Sequence, residues 1–379
     1  MNPSKRRFID DAAISVGLLT GAWYLFYLGA VWGLADQLTP GPLREYVMGP
    51  GIHFEILISG VGLGLLLAGI NRWSESPRFR RWSFGRLIVF RSACYVGGLL
   101  VVAGLVNLAL FLFVYSAEEL RTVAGLLSPR LAISLGLWIA ATTLAVNFLL
   151  EVRRKVGPGQ LTALMTGRYQ RPRSENRVFL FVDLKGSTTI AETLGHERYS
   201  RLLQDCFHEL SDAVLRFGAQ IYQYVGDEVV LTWPADQEDA HSLCIQTYFA
   251  FHDRLDAKRP WYEEQFGVAP EFRAGAESGL VTAAEVGDVK REIAYHGDPL
   301  NTAARLQELC KAYGQRILVS EGVGRGLPEH SGFKTEWQGN VRLRGKAEAV
   351  PVYGVERETP EGQNTSKGAG KRTAAGLDD

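Results

Sequence analysis

Two short motifs each place an aspartate beside an apolar stretch and a glycine. The first, "FVDLKGSTT", covers residues 181–189 and contains Asp183, and the second, "YQYVGDEVV", covers 222–230 and contains Asp227. Two carboxylates at neighbouring strand ends repel each other, and a cation between them relieves the repulsion. Oxygen ligands suit Mg²⁺ or Mn²⁺, and a pair of such ions can activate an attacking oxygen and stabilise a leaving one. We therefore predict that these two aspartates bind divalent cations.

The loop after Asp183 has the composition of a phosphate-binding turn. The backbone N–H groups of "LKGST", together with a helix that begins at Thr188, can bind phosphate oxygens, and the glycine permits close approach. The chain contains no G-x-x-x-x-G-K-[ST] sequence, so a Walker lysine loop is excluded. We assign five residues to substrate binding, and we also count the first of them with the metal site: Leu184, Lys185, Gly186, Ser187 and Thr188.

Each motif by itself also has an ordinary structural explanation. The string "DLKGST" is equally typical of a capped helix start. The "VGDE" string is common in type I′ hairpin turns, where Asp and Gly are favoured. The functional interpretation depends on finding both motifs at matched strand ends.

Alternating strand and helix patterns surround the two motifs. An apolar strand in "VFLFVD" precedes helical spacing over 189–194 and 199–217, and "AQIYQYVGDEVVLTWP" is typical of two strands around a tight turn. The remaining predicted elements are a helix over Asp236–Ala257, a strand pair over Glu271–Val286, a strand in "REIAYHGD", a helix over Pro299–Tyr313, and strands in "RILVS" and "AVPVYGV". This order predicts an α+β ferredoxin-like (palm-like) domain that brings the two aspartates to one edge of its sheet.

The segment from Arg177 to Val355 resembles the catalytic domain of class III nucleotidyl (adenylate/guanylate) cyclases. "FLFVDLKGST" and "YVGDEVV" are similar to the two metal motifs of that family, and "REIAYHGDPLNTAARLQ" is similar to its transition-state segment. Asn301 and Arg305 are four residues apart on one helix face. The resemblance implies that Asn301 orients the ribose and Arg305 stabilises charge on the phosphates. It also implies a head-to-tail homodimer, with the metals from one subunit and these two side chains from the other.

Three substrate-binding positions of the resembled family carry residues here that differ from its common choices. Gln223 stands where a base-reading lysine is common, and Ala294 stands at the second base-reading position. Arg344, with Lys346 close by, stands where the family has a triphosphate-binding lysine, and arginine keeps the charge. Gln223 can donate and accept, so it suits adenine and also tolerates guanine. The family's guanylate-type pair is absent, which favours ATP.

The first 150 residues are dominated by apolar side chains. Four runs are long enough to cross a bilayer as helices: Ala13–Ala35, Gly51–Ile70, Ala93–Tyr115 and Leu131–Leu150. Basic residues are concentrated before the first run, between the second and third, and after the fourth. The positive-inside rule then predicts a multi-pass protein of the cell membrane with both ends of this bundle in the cytoplasm.

The chain thus divides into four predicted parts. Residues 1–150 form a four-helix transmembrane bundle, 151–176 a linker, 177–356 a cytoplasmic cyclase-like catalytic domain, and 357–379 a disordered tail rich in Gly, Ser, Thr and Lys. The formal net charge is zero, so composition suggests no nucleic-acid partner.

The sequence predicts a membrane-bound adenylate cyclase that converts ATP to 3′,5′-cyclic AMP and pyrophosphate with two Mg²⁺ or Mn²⁺ ions at a homodimer interface. Two alternatives stay open: a catalytically weak, cyclase-like nucleotide-binding regulator, and a guanylate cyclase. A diguanylate cyclase lacks support, because the chain contains no G-G-[DE]-E-F string.

Overall fold

The computed structural model describes residues 3–32, 44, 48–74, 79, 82–83, 85–98, 129–156, 160–328, 331–343 and 348–358. The chain divides into two compact units, Met1–Arg168 and Tyr169–Asp379.

Most of the described residues of the first unit are helical. Its labelled helices are α1 (Pro3–Phe26), which continues into a π-helical turn over Tyr27–Trp32, α2 (Gly51–Trp73), α3 (Pro129–Val156) and α4 (Gln160–Met165). Residues 85–98 are also helical. Gly60 and Gly64 lie on the side of α2 that faces α1, where a Cβ atom would collide with Thr20 and Val16. These small residues let the two helices pack closely, as glycines spaced four apart do in membrane helices.

Three of the described helices are long and apolar enough to cross a membrane: Phe8–Gly29, Ile56–Trp73 and Gly136–Arg153. They overlap the first, second and fourth predicted spans. Of the third predicted span, Ala93–Tyr115, the structure describes only residues 93–98, which are helical. The rest of that prediction lies outside the described residues, so the four-helix bundle stays a prediction.

The second unit is built on one eight-stranded mixed sheet. Its strands are β1 (Arg173–Leu184), β2 (Gln220–Val225), β3 (Glu228–Pro234), β4 (Phe272–Val286), β5 (Glu292–His296), β6 (Ile317–Ser320), β7 (Phe333–Val341) and β8 (Val350–Arg357). Its helices are α5 (Ser187–Phe217), α6 (Ala240–Ala257), α7 (Arg259–Phe266), α8 (Asp298–Leu309) and α9 (Glu321–Arg325).

The strand order is β2-β3-β1-β4-β6-β8-β7, with β5 paired to β4. All pairings are antiparallel except the one between β4 and β6. Helices and sheet alternate as the sequence predicts, and the α+β fold of this unit is confirmed. The order also places the β2–β3 hairpin directly beside the C-terminal end of β1, where the two acidic motifs lie.

Strand β1 is buried on both faces and separates two apolar cores. Val178, Leu180 and Val182 belong to the larger core, which α5 and α6 cover. Phe179 and Phe181 point to the opposite face and belong to a smaller core with residues of α8. Because side chains alternate along a strand, Asp183 continues the face of these two phenylalanines toward α8.

The predicted strand pair over Glu271–Val286 is wrong, because the structure has one continuous strand, β4, in that range. Glycines such as Gly275 and Gly279 are common in turns and so favour a break between two strands. In the structure both lie in the extended backbone of β4, beneath α8. A Cβ atom on Gly275 would collide with backbone atoms of Ala303 and Gln307, and one on Gly279 would collide with Pro299. Both glycines therefore serve the close approach of a helix to a strand.

Other predicted boundaries shift by a few residues. The two helical segments predicted before β2 form α5, which is interrupted at Gly195 because its φ of 72° and ψ of 163° are not helical. The helix predicted from Asp236 begins at Ala240, and the helix predicted to end at Tyr313 ends at Leu309. Three elements were not anticipated: α7, α9 and β7.

Candidate active site

The structure brings Asp183 and Asp227 together at one edge of the sheet. Asp183 is the penultimate residue of β1, and Asp227 lies in the two-residue turn between β2 and β3, after Gly226 with a φ of 61°. The ladder between β1 and β3 ends with the pair Val182 and Val229. The next residue of β1 is therefore adjacent to the turn that carries the second aspartate.

The two carboxyl groups interact electrostatically. Burial, followed by the adjacent negative charge of Asp227, raises the pKa of Asp183 from 3.8 to about 6. Glu228 extends this acidic edge: burial, with the charges of Asp183, Asp227 and Glu308, raises its pKa from 4.5 to about 7. This part of the sheet thus concentrates negative charge that the described side chains do not neutralise, and it favours a cation.

An orphaned oxygen indicates how a cation would fit. The Oδ2 atom of Asp227 is buried and has no hydrogen-bond partner among the described residues. Among the residues that the structure describes, no three His, Cys, Asp or Glu side chains form a group able to hold a metal ion. Mg²⁺ commonly binds through one or two carboxylates and completes its shell with water and phosphate oxygens. The pair of aspartates fits that type of site.

Gln307 holds one of the two aspartates from α8. Its Nε2 atom donates a hydrogen bond of 3.3 Å to Oδ2 of Asp183, and the glutamine itself is buried. The close packing of α8 on Gly275 places this side chain, since the backbone N of Gln307 lies too close to where a Cβ on Gly275 would be for that atom to fit. Sequence reasoning missed Gln307, because the spacing that selected Asn301 and Arg305 marks a different side of the helix.

The predicted phosphate loop connects β1 to α5. Gly186 has a φ of 72° and precedes the helix, which begins at Ser187, one residue before the predicted start at Thr188. A Cβ on Gly186 would meet nothing within 4 Å, so the backbone is open to approach on that side. The N–H of Lys185 donates to the backbone O of Glu271 at 2.8 Å, and its Nζ pairs with the carboxylate of the same residue at 2.8 Å. Leu184 is fully buried in the larger core.

Asn301 and Arg305 lie on α8, as predicted. Asn301 is exposed and Arg305 is half-buried. One residue advances an α-helix by about 100°, so Arg305 lies about 200° around the helix from Gln307, which faces Asp183. Asn301, six residues before Gln307, lies about 120° around the helix from it, so neither side chain shares the side of α8 that contacts Asp183.

The two base-reading positions lie on different strands and face different sides. Gln223 on β2 pairs with Val230, which belongs to the smaller core on the α8 side. Ala294 on β5 pairs with Ala284, whereas the following residue, Tyr295, packs into that core. Alternation then directs the methyl group of Ala294 to the other face. The predicted triphosphate residues Arg344 and Lys346 lie outside the described residues.

The fold and this edge define a class of protein: a palm-like α+β domain with a carboxylate pair at the end of its first strand and in the neighbouring hairpin. Residues 169–356 match the family model described as the adenylate and guanylate cyclase catalytic domain. The chain is 33% identical over 300 residues to adenylate cyclase 2 of Rhizobium meliloti, which covers 79% of this chain and 78% of that relative. The aligned stretch of 300 residues is longer than the whole segment from residue 169 to residue 379. It therefore includes part of the apolar N-terminal half.

Two more distant similarities agree with this. The chain is 28% identical over 182 residues to an adenylate cyclase of Anabaena cylindrica, covering 46% of this chain and 36% of that one. A solved structure of a bacterial light-regulated adenylyl cyclase superposes with a TM-score of 0.50 at 19% identity, over 57% of this chain and 64% of that chain, which supports the fold. The chain belongs to the adenylate and guanylate cyclase catalytic domain family.

Proposed function

We propose that this protein is an adenylate cyclase, which converts ATP to 3′,5′-cyclic AMP and pyrophosphate. In this reaction the ribose 3′-oxygen loses its proton and bonds to the α-phosphorus, while the bond from that phosphorus to the β-phosphate oxygen breaks. The observation that carries the proposal is the pairing of Asp183 and Asp227 at one sheet edge, with a buried Asp227 oxygen that has no partner among the described residues. The similarity to named adenylate cyclases supports ATP as the substrate.

Asp183 and Asp227, with the adjoining Leu184, would hold two Mg²⁺ or Mn²⁺ ions. Bound there, the ions would supply positive charge that activates the attacking oxygen and stabilises the leaving pyrophosphate. The side chains and backbone of the protein orient the metal-binding carboxylates and neutralise charge on the phosphates. Gln307 fixes the Asp183 carboxylate, and the backbone from Gly186 to Thr188 offers N–H groups to phosphate oxygens, with the Lys185 side chain beside it.

The active site in this proposal is shared between two copies of the chain. Asn301 and Arg305 cannot serve the acidic pair of their own chain, because α8 directs them to another side than Gln307. A second protomer in head-to-tail orientation would supply them, Asn301 to the ribose and Arg305 to the phosphates. A guanidinium is permanently charged and can donate two parallel hydrogen bonds to a phosphate.

Exposed apolar residues support this association. Val225 at the end of β2 is 53% exposed, and Val289 in the loop between β4 and β5 is fully exposed. Both lie on the hairpins that carry or adjoin site residues. Exposed apolar residues at such a place favour contact with another protein surface.

Base selection would depend on Gln223, with Arg344 and Lys346 assigned to the triphosphate. The Gln223 amide presents one acceptor and two donors, and it lies on the same sheet face as the acidic edge. Ala294 contributes no polar group and faces the other side of β5. Three apolar helices support anchoring in a membrane, with the catalytic unit on the cytoplasmic side.

The direct test is a parallel assay of the purified full chain with ATP and with GTP in the presence of Mn²⁺. We expect cyclic AMP as the main product. Asp183→Ala and Asp227→Ala should each abolish turnover, whereas Asp236→Ala, a matched change in the exposed turn between β3 and α6, should leave it unchanged. Cyclic GMP as the main product would favour a guanylate cyclase, and no product from either nucleotide would favour the idle regulatory module.

Complementation tests the shared site. A mixture of an inactive Asp227→Ala chain with an inactive Arg305→Ala chain should regain activity, because one of the two sites in the heterodimer retains both residues. An equal mixture should approach a quarter of the wild-type rate if chains associate at random. Absence of any recovery, with dimers present by light scattering, would contradict a composite site.

A further inference from the structure

Strand β2 contains a bulge that determines the direction of Gln223. Ile221 pairs with Leu231 and Gln223 pairs with Val230, so Tyr222 is an extra residue without a partner in the ladder. Ile221 packs in the larger core, whereas Tyr222 packs in the smaller core beside α8. A bulge re-aims the side chains at and after it. Because of it, Tyr222 and Gln223 face the same side of the sheet, which a regular strand does not allow.

Tyr222 connects β2 to β5, although the two strands are not neighbours in the sheet. The backbone N–H of Tyr295 donates to the Tyr222 hydroxyl oxygen at 3.3 Å. The two rings lie 5.1 Å apart at an angle of 67°, an edge-to-face arrangement. Phe179 of β1 supports Tyr295 with its ring at 5.6 Å. Thus the residue before Gln223 contacts the residue after Ala294.

A buried arginine completes the cluster. Arg177 is 2% exposed, and its guanidinium lies 4.8 Å from the centre of the Tyr295 ring. Its Nε donates to Thr232 Oγ1 of β3 at 3.0 Å, and its Nη2 donates to Gln220 Oε1 of β2 at 2.6 Å. Glu175 balances the charge through an ion pair of 3.0 Å. One side chain therefore ties β1, β2 and β3 to the ring of β5.

We propose that Tyr222, Tyr295 and Arg177 form a positioning cluster that aligns β2 with β5 and thereby sets how Gln223 meets the nucleobase. None of the three touches the reacting atoms in this scheme, since each acts through the two strands. The proposal rests on the proposed nucleotide cyclase function, because it assigns the region between these strands to the base of the substrate. Disturbing the cluster should alter affinity for the base more than the rate of bond formation.

The experiment uses the full chain and the variant Tyr222→Phe, which removes one hydroxyl and keeps the ring. Tyr353→Phe on β8 is the matched control, because the described residues show no hydrogen bond from that hydroxyl and it is remote from the site. Arg177→Lys keeps the charge but loses the guanidinium that bonds both Thr232 and Gln220. Three quantities are measured: deuterium exchange of the Tyr295 amide, the ratio of affinities for α,β-methylene-ATP and α,β-methylene-GTP, and kcat and KM for ATP. The methylene bridge prevents cleavage, so the affinity ratio does not require turnover.

For Tyr222→Phe we expect about five-fold faster exchange at Tyr295 and about a five-fold change in the ATP/GTP affinity ratio, the effect of losing one hydrogen bond. The KM for ATP should rise while kcat changes little, and Arg177→Lys should change the same quantities in the same direction. Faster exchange of the Tyr295 amide with an unchanged ATP/GTP affinity ratio would show that the cluster has only a structural role, and it would overturn the proposal. Unchanged exchange would overturn it as well. If the wild type binds the analogues but forms no cyclic nucleotide, the proposed function fails, while the affinity ratio still decides this inference.

Discussion

Replacing Asp183 by asparagine should stabilise the metal-free protein while it abolishes catalysis. The wild-type carboxylate is half-buried beside Asp227, and this raises its pKa from 3.8 to about 6. An acid whose pKa is higher in the folded state destabilises that state at any pH at which the group is ionised. Asparagine has nearly the same shape and removes the charge. Its side-chain N–H₂ can also donate to the buried Asp227 Oδ2, which has no partner among the described residues.

The magnitude follows from the two pKa values. They differ by about 2, and one pKa unit corresponds to about 1.4 kcal/mol, so the upper bound is about 3 kcal/mol. Because the carboxyl group is only partly removed from water, solvent screening reduces the expected gain to about 1–2 kcal/mol. The sign depends on pH. The destabilisation is fully present above about pH 6, and it disappears as pH falls below 3.8, where the carboxyl is protonated in both the folded and unfolded states.

Urea unfolding in EDTA at fixed protein concentration measures this difference. At pH 8 we expect Asp183→Asn to unfold at higher urea than the wild type, and at pH 4 the two midpoints should nearly coincide. Asp236→Asn, the same change in the exposed turn between β3 and α6, should show no difference at either pH. Mn²⁺ should reverse the order at pH 8. At 100 times its dissociation constant it stabilises the wild type by about 2.7 kcal/mol and the variant by less.

The reasoning fails if Asp183→Asn is less stable than the wild type at pH 8 without metal. It also fails if the stability difference is independent of pH, because a packing effect does not titrate. In either case the carboxylate pair would be an ordinary part of the fold. It would not be a site where two carboxylates repel each other until a cation binds between them.

Two further predictions concern the same edge of the sheet. Protons should compete with Mn²⁺ for the Asp183 carboxylate, so Mn²⁺ binding should weaken as pH falls through about 6, where the pKa of this group lies. Calorimetry at pH 5 and pH 8 measures the two affinities. Equal affinities would argue against that carboxylate as a ligand. Gly275→Ala should lower the free energy of unfolding by about 1–3 kcal/mol, because the added Cβ would collide with backbone atoms of α8. A side chain could change rotamer to relieve such a collision, but a helix backbone cannot. Gly322→Ala is the control, because its Cβ would make ordinary contacts at 3.6 Å, and equal losses in both variants would contradict the close approach.

Elements with a strong local period could be predicted from the sequence. The alternation before Asp183 and around the β2–β3 turn indicates strands, and three apolar stretches indicate helices of membrane-spanning length. In β4 the local signal was misleading. Gly275 and Gly279 have the composition of a turn, but they occur where a helix crosses a strand, and no short sequence window contains both partners of that contact.

The amino-acid sequence by itself determined which residues can do chemistry: two aspartates at strand ends, a glycine-containing loop, and an asparagine and an arginine spaced four apart on a helix. Only the tertiary structure decided what surrounds them. Gln307 meets Asp183 across 124 positions of sequence, and the bulge at Tyr222 turns Gln223 toward the α8 side of the sheet. The physical reason is that composition and period act within a few residues, whereas register, bulges and helix-on-strand packing depend on groups that only the folded chain brings together.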